Sequence, residues 1–218
     1  MPREQEPATT DRAAPGAVWL VAGPAEGGLR VYVAALARGL AAAGAAPVLW
    51  TPDPGAWAGL AATGVTVRDL SGTALPFPAG PGAAVRFVRD PGAGGTPEGN
   101  GGRVGTPGGA STPTGAVPRP RGSAGLRAWI TGLRRLRAAA RQEPPALVHA
   151  HGLRAAALVR AALPEVPLVT TLHTYPEGCW QVQLARWVGR RSAALVTVSH
   201  ALARWAVEAG VVPAGRRG

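Results

Sequence analysis

Short apolar runs alternate with stretches of helical periodicity along most of this chain, and that alternation leaves few architectures open. The first run, Ala17-Val18-Trp19-Leu20-Val21-Ala22, has the length of a buried strand. It breaks at Gly23-Pro24, passes Glu26-Gly27-Gly28, and enters a helical pattern on Val31, Leu36 and Leu40 that ends at Gly44. A strand at Pro47 to Thr51, a short helix around Trp57 to Ala62 and a strand at Val65 to Leu70 follow. Further on, Leu126, Trp129, Ile130, Leu133 and Leu136 fall at helical spacing, with that apolar side expected on the sheet, until Pro144-Pro145 stops the helix. Strands at Ala146 to Ala150, Pro167 to Leu172 and Ala194 to Ser199 then alternate with helices at Leu153 to Leu163, Trp180 to Arg190 and Leu202 to Ala209. This order predicts an α/β fold, a Rossmann-like doubly wound parallel sheet.

Two segments fall outside the pattern. Residues 1–16 are polar and read as a disordered tail, and residues 91–122 are so rich in Gly, Pro, Thr and Ser that a disordered surface insertion is expected. One domain over residues 17–212 is the resulting division, followed by a short stretch at 213–218. The formal charge of +11 comes entirely from arginine, since Lys is absent, and this reads in part as compositional bias. It still favours encounters with phosphates and acidic lipids. Only two Phe and two Tyr are present, and no nucleic-acid module is recognised, so no nucleic-acid partner is expected. Cys179 is the only cysteine, which excludes an intrachain disulfide and reads as an inert small hydrophobe rather than a nucleophile. The start lacks a secretory apolar core, and no run approaches a membrane span. A cytoplasmic protein is expected. Arg127, Arg134, Arg135, Arg137 and Arg141 on the 126–141 helix form either a solvated face or a peripheral contact with the inner membrane face.

In a doubly wound sheet, ligands bind beyond the carboxyl ends of the strands, where strand order reverses. Gly23 to Gly28 follow the first strand, His149 and His151 the fourth, His173 the fifth, and Ser199 with His200 the sixth. The glycine turn has the outer spacing of a P-loop, but Leu29-Arg30 stands where Lys-Ser/Thr would reach phosphate and magnesium, and Ala25 breaks the dinucleotide fingerprint. Gly27 and Gly28 at a helix start can expose backbone N–H groups to a phosphate or a sugar hydroxyl, or simply make a tight turn. His149 and His151 lack a third metal ligand nearby, so no metal site is expected. Strand alternation is read as turning the two to opposite faces, one toward the cleft and the other structural. His173 stands where a buried strand opens into a loop, suited to a hydrogen bond in a cleft or in the core. Ser199-His200 lacks the glycines of a nucleophile elbow, which argues against hydrolase chemistry.

Four blocks in order carry a resemblance: Gly27 to Gly44, Ala146 to Gly152, Val169 to His173 and Ala194 to Ser199. Together they resemble the N-terminal, acceptor-side domain of retaining GT-B glycosyltransferases, glycosyltransferase family 4-like, of the phosphatidylinositol mannosyltransferase and mycothiol glycosyltransferase type. The resemblance implies a single GT-B half-domain that serves transfer of a sugar from a nucleotide-sugar donor to an acceptor, with retention and without a metal or other cofactor. It implies that Gly27 and Gly28 approach the donor diphosphate and the acceptor. It makes His173 the catalytic candidate, bonding the transferred sugar or organising the reacting centre, with His151 and Ser199 as secondary cleft residues. The family's donor-binding half carries two glutamates eight positions apart, and no such pair occurs here. A missing C-terminal donor domain, a truncated linker at 213–218 and inactivity of the chain alone are therefore expected. The alternative is a non-catalytic module that binds an acceptor or a partner protein.

Overall fold

Every apolar run named above forms a strand, and each boundary lies within two residues of its expected place. The computed structural model describes residues 16–24, 27–71 and 123–212. The elements are β1 (Val18–Ala22), α1 (Gly28–Ala42), β2 (Pro47–Thr51), a 3₁₀ segment (Pro54–Thr63), β3 (Thr66–Asp69), α2 (Ser123–Gln142), β4 (Leu147–His151), α3 (Leu153–Ala162), β5 (Leu168–Leu172), α4 (Cys179–Gly189), β6 (Ala194–Thr197) and α5 (His200–Glu208). The expected insertion at 91–122, the stretch 213–218 and the tail up to residue 15 lie outside the described residues.

All six strands are parallel, in the order β3-β2-β1-β4-β5-β6. The chain steps outward one way from β1 and the other way from β4, so strand order reverses between these two. Right-handed crossovers then force α1 and the 3₁₀ segment to one face and α2, α3 and α4 to the other. The core divides accordingly. Leu20, Leu49, Val33, Ala37, Trp57 and Leu60 pack on the α1 face, while Trp19, Val21, Trp50, Leu136, Val148, Ala156 and Leu168 pack on the other. Central strands buried on both sides need continuous apolar sequence. All five residues of β2 are accordingly buried, whereas edge strand β3 has none buried.

Two local differences from the sequence reading have plain causes. The segment after β2 winds as a 3₁₀ helix over its whole length, with Asp53 Oδ1 accepting from Ala56 N at 3.2 Å. Pro54, Gly55 and Gly59 lower its α-helical propensity. In α2 the buried side is Gly125, Gly132, Leu136 and Ala139, while Leu126 and Ile130 are 53% and 37% exposed. The helix turns its small residues inward because α3, its neighbour, offers Ala155, Ala156 and Ala162, and two such surfaces approach closely.

Across the middle, Trp19 and Trp50 meet at 5.1 Å between ring centroids, and Arg68 lies over Trp50 at 5.6 Å while bonding Glu143 at 2.7 Å. That chain of contacts ties β1, β2 and β3 to the end of α2.

Candidate active site

The strand ends beside the reversal point gather three of the chain's four histidines. Leu20 is in register with His149, and Ala22 with His151. Leu20 and Ala22 belong to the α1 face, and neighbours in register share a face, so both histidines lie there too. The expectation of opposite faces is corrected: a strand repeats every two residues, and positions two apart point the same way. Their rings stack, with centroids 4.4 Å apart and planes at 28°. Thr171, in register with His151, meets His149 Nε2 through Oγ1 at 2.7 Å. His173, two residues on, brings its ring to 5.7 Å from His151. Tyr32 of α1 closes the group edge-on, at 5.7 Å from His151 and 5.8 Å from His173.

Burial sets the charge of this cluster. Desolvation, with a smaller contribution from His173, lowers the pKa of His149 to about 4; desolvation, then His149 and His173, lowers that of His151 to about 3. His173 is also lowered, by desolvation. All three rings are therefore neutral near pH 7, and each offers one N–H donor and one acceptor. Both nitrogens of His151, and Nε2 of His173, are buried without a hydrogen-bond partner among the described residues. Leaving a buried polar atom unpaired costs about 1–3 kcal/mol. Side by side, these atoms leave hydrogen-bonding capacity unused within the fold.

The backbone around the cluster is equally bare. Helices α1, α3 and α4 begin after Gly27, Gly152 and Gly178, at φ of 58°, 91° and 79°, with no side-chain cap and no acidic residue in the first turn. Among the described residues, a side chain added at Gly27 or Gly28 would meet nothing within 4 Å. Gly27 is set by its positive φ. Each helix start presents roughly half a positive charge, favourable to a phosphate or a sugar oxygen.

The sequence matches the family described as glycosyl transferase 4-like domain over residues 27–217. The chain belongs to that family. Among curated proteins none matches it. Among solved structures, a glycosyltransferase from Rickettsia africae ESF-5 superposes with a TM-score of 0.56 at 11% identity, covering 91% of this chain and 40% of that one. UGT73P12 of Glycyrrhiza uralensis, complexed with glycyrrhetinic acid 3-O-monoglucuronide, gives a TM-score of 0.50 at 12% identity, covering 90% of this chain and 47% of that one. The chain thus spans less than half the length of either structure. At these identities the likeness concerns the fold.

Within this glycosyl transferase 4-like domain the sequence-derived site residues do not all converge. His151 and His173 meet, and Gly28 lies one helical turn before Tyr32, on the same side of α1. Ser199 instead serves the helix that follows it, where its Oγ accepts from Leu202 N at 3.2 Å and caps α5. His200 comes next, exposed at the start of α5. Cys179 is exposed where α4 begins. Tyr32, Gly152 and Gly178 went unrecognised as site residues in the sequence. Their signals were a tyrosine four residues after Gly28, and a glycine directly before each helix. Among the described residues no three His, Cys, Asp or Glu side chains are placed to hold a metal. Stacked imidazoles explain this for His149 and His151, whose in-plane lone pairs run side by side instead of converging. No helix among the described residues is long and apolar enough to cross a membrane.

Proposed function

We propose that this domain is the acceptor-side half of a retaining glycosyltransferase that moves a sugar from a nucleotide-sugar donor to an acceptor. The observation that carries the reading is the neutral pair His151 and His173, with both nitrogens of the first and Nε2 of the second unpartnered among the described residues, beside the uncapped Gly27–Gly28 helix start and within the span that matches the family. His173 bonds a hydroxyl of the transferred sugar and holds it at the reacting centre. The amides after Gly27 meet the donor diphosphate, and no metal or other cofactor takes part in this scheme. A donor-binding unit supplies the opposite wall of the cleft, and this domain without it transfers no sugar.

On the same reading the protein lies on the cytoplasmic side and touches the membrane peripherally through α2. Leu126 and Ile130 are exposed there beside Arg127 and Arg134. Arg135 and Arg137 are occupied instead, by Ser71 O at 2.9 Å and by the carbonyls of Ala161 and Ala162 at 2.9 and 3.1 Å.

Saturation-transfer NMR with a panel of nucleotide sugars, glycosides and polyols tests the reading. Sugar contacts are expected, and His173→Ala is expected to weaken them about tenfold, the equivalent of one hydrogen bond near 1.4 kcal/mol. Unchanged binding by that variant would remove His173 from the site. Turnover of a nucleotide sugar by the protein alone would overturn the half-site reading.

A further inference from the structure

A second cavity lies at the opposite end of the sheet, where the strands begin. The α3–β5 and α4–β6 loops border a volume of about 310 Å³ lined by Arg160, Pro164, Glu165, Arg190, Arg191 and Ser192, among others. A β-strand rises about 3.3 Å per residue, so five-residue β5 puts this cavity roughly 16 Å from the histidine cluster. The two sites do not overlap.

Two of its three guanidinium groups are fixed in place. Arg160 donates to Pro164 O and, at 3.4 Å, to Val166 O. Arg191 rests on the ring of Trp187 at 5.4 Å. A guanidinium carries five N–H donors, so neither contact exhausts them. Among the described residues the side chains of Arg190 and Arg191 make no hydrogen bond or ion pair, and Glu165 forms a salt bridge with none of the three arginines. Burial first, and then the charge of Arg191, holds the Arg160 pKa below its ordinary value, and the opposing pull of Glu165 is the smallest of the three influences. The two cations are thus close enough to repel, and the one nearby carboxylate does not cancel that repulsion.

Capping of helix C-termini is the ordinary work of arginines in such a place. It accounts for Arg160, which bonds the carbonyls that follow α3, but not for Arg190 or Arg191. Charge decides the matter. Three guanidiniums against one carboxylate leave two positive charges, and the ends of α3 and α4 contribute about −0.5 each. A positive excess of about one remains in a concave surface.

We propose that this cavity binds a phosphate group, gripped by Arg160 and Arg191 with Arg190 at the rim. Planar guanidiniums suit the paired oxygens of a phosphate. A water occupies about 30 Å³ in the liquid, so the cavity exceeds the needs of a bare anion and leaves room for part of the molecule that bears it. That bearer is either a soluble phosphorylated compound or an anionic lipid headgroup.

The test uses the whole protein, inorganic phosphate as probe, and ³¹P line broadening as readout, with Arg191→Gln and Arg190→Gln as variants that leave the Arg160 carbonyl contacts intact. Saturable broadening is expected, with affinity falling at least about fivefold in Arg191→Gln and melting temperature unchanged. Co-sedimentation with phosphatidylglycerol vesicles, against phosphatidylcholine vesicles, then separates the sources. Sedimentation lost in Arg191→Gln assigns the headgroup; phosphate binding without sedimentation assigns a soluble ligand. Phosphate binding that is absent, or equal in wild type and Arg191→Gln, overturns the proposal; sedimentation that survives in Arg191→Gln and is abolished by Arg134→Gln belongs to α2 and assigns the cavity a soluble ligand.

Discussion

Taking the protein from pH 7.5 to pH 5 is expected to cost its fold about 3 kcal/mol, chiefly through two histidines. In the unfolded chain an imidazole titrates near 6.5; in the fold His151 titrates at about 3 and His149 at about 4. Between those values the unfolded state binds protons that the native state refuses, so stability falls as pH falls. The contribution is complete above pH 6.5 and is lost progressively toward pH 3. At pH 5, about 1.5 units below the unfolded value, each fully buried histidine costs about 2 kcal/mol, at 1.36 kcal/mol per unit. His151 is 3% exposed and takes that figure whole; His149 is more open to water, and its share is about half. His173, lowered by desolvation, acts with the same sign. Asp69, held below 3.8 by its bonds to Ser71, loses its contribution only at still lower pH and leaves this window clear. Urea unfolding at both pH values measures the difference, and His151→Gln should reduce it by about 2 kcal/mol. Equal stability at the two pH values, or a full loss retained in His151→Gln, would refute the reasoning.

Three substitutions probe the framework. At Gly189 a side chain would meet the carbonyl oxygen of Val211 and lie 2.8 Å from its Cγ1, so Gly189→Ala should cost about 1–3 kcal/mol and expose α5 to proteolysis first. Gly39→Ala, with open space around it inside α1, should instead gain up to about 1 kcal/mol, as thermal melts would show. Ser199→Ala removes the α5 cap and should cost about 0.5–2 kcal/mol while leaving sugar contacts in NMR unaltered.

The sheet was legible because the physics that makes it is local. Runs such as Pro47 to Thr51 are apolar at every position but the last, and Gly44, Gly64 and Pro144-Pro145 punctuate them. Parallel pairing and the reversal between β1 and β4 follow from the alternation and the handedness of crossovers. What escaped depends on facing partners. The buried side of α2 is chosen by the alanines of α3, which periodicity within α2 does not contain. That Ser199 spends its hydroxyl on Leu202 N depends on β6 ending at Thr197. The shared face of His149 and His151 was different, because a strand's two-residue period already contains it.

Unpaired buried nitrogens alone do not mark the functional end of this molecule, since Trp19 and Trp50 also bury Nε1 without a partner among the described residues in the middle of the core. Those two indoles are fillers: large rings packed against each other, whose apolar contacts outweigh one lost hydrogen bond apiece. The histidines offer no such return. An imidazole is small and polar, and His151 and His173 beside Tyr32 forgo hydrogen bonds that Leu or Val at the same positions would never have needed. The helix ends sharpen the contrast. At the strand-start end, Arg137 and Arg160 satisfy carbonyls at and beyond the end of α3, whereas at the other end Gly27, Gly152 and Gly178 leave three helix starts bare. A side-chain cap is worth roughly a few tenths of a kcal/mol over glycine, and the positive φ at all three positions bars the Ser or Asp that would supply it. Hydrogen-bonding capacity left open in rings and backbone together, gathered where strand order reverses, is what a ligand carrying both hydroxyl groups and phosphate would fill.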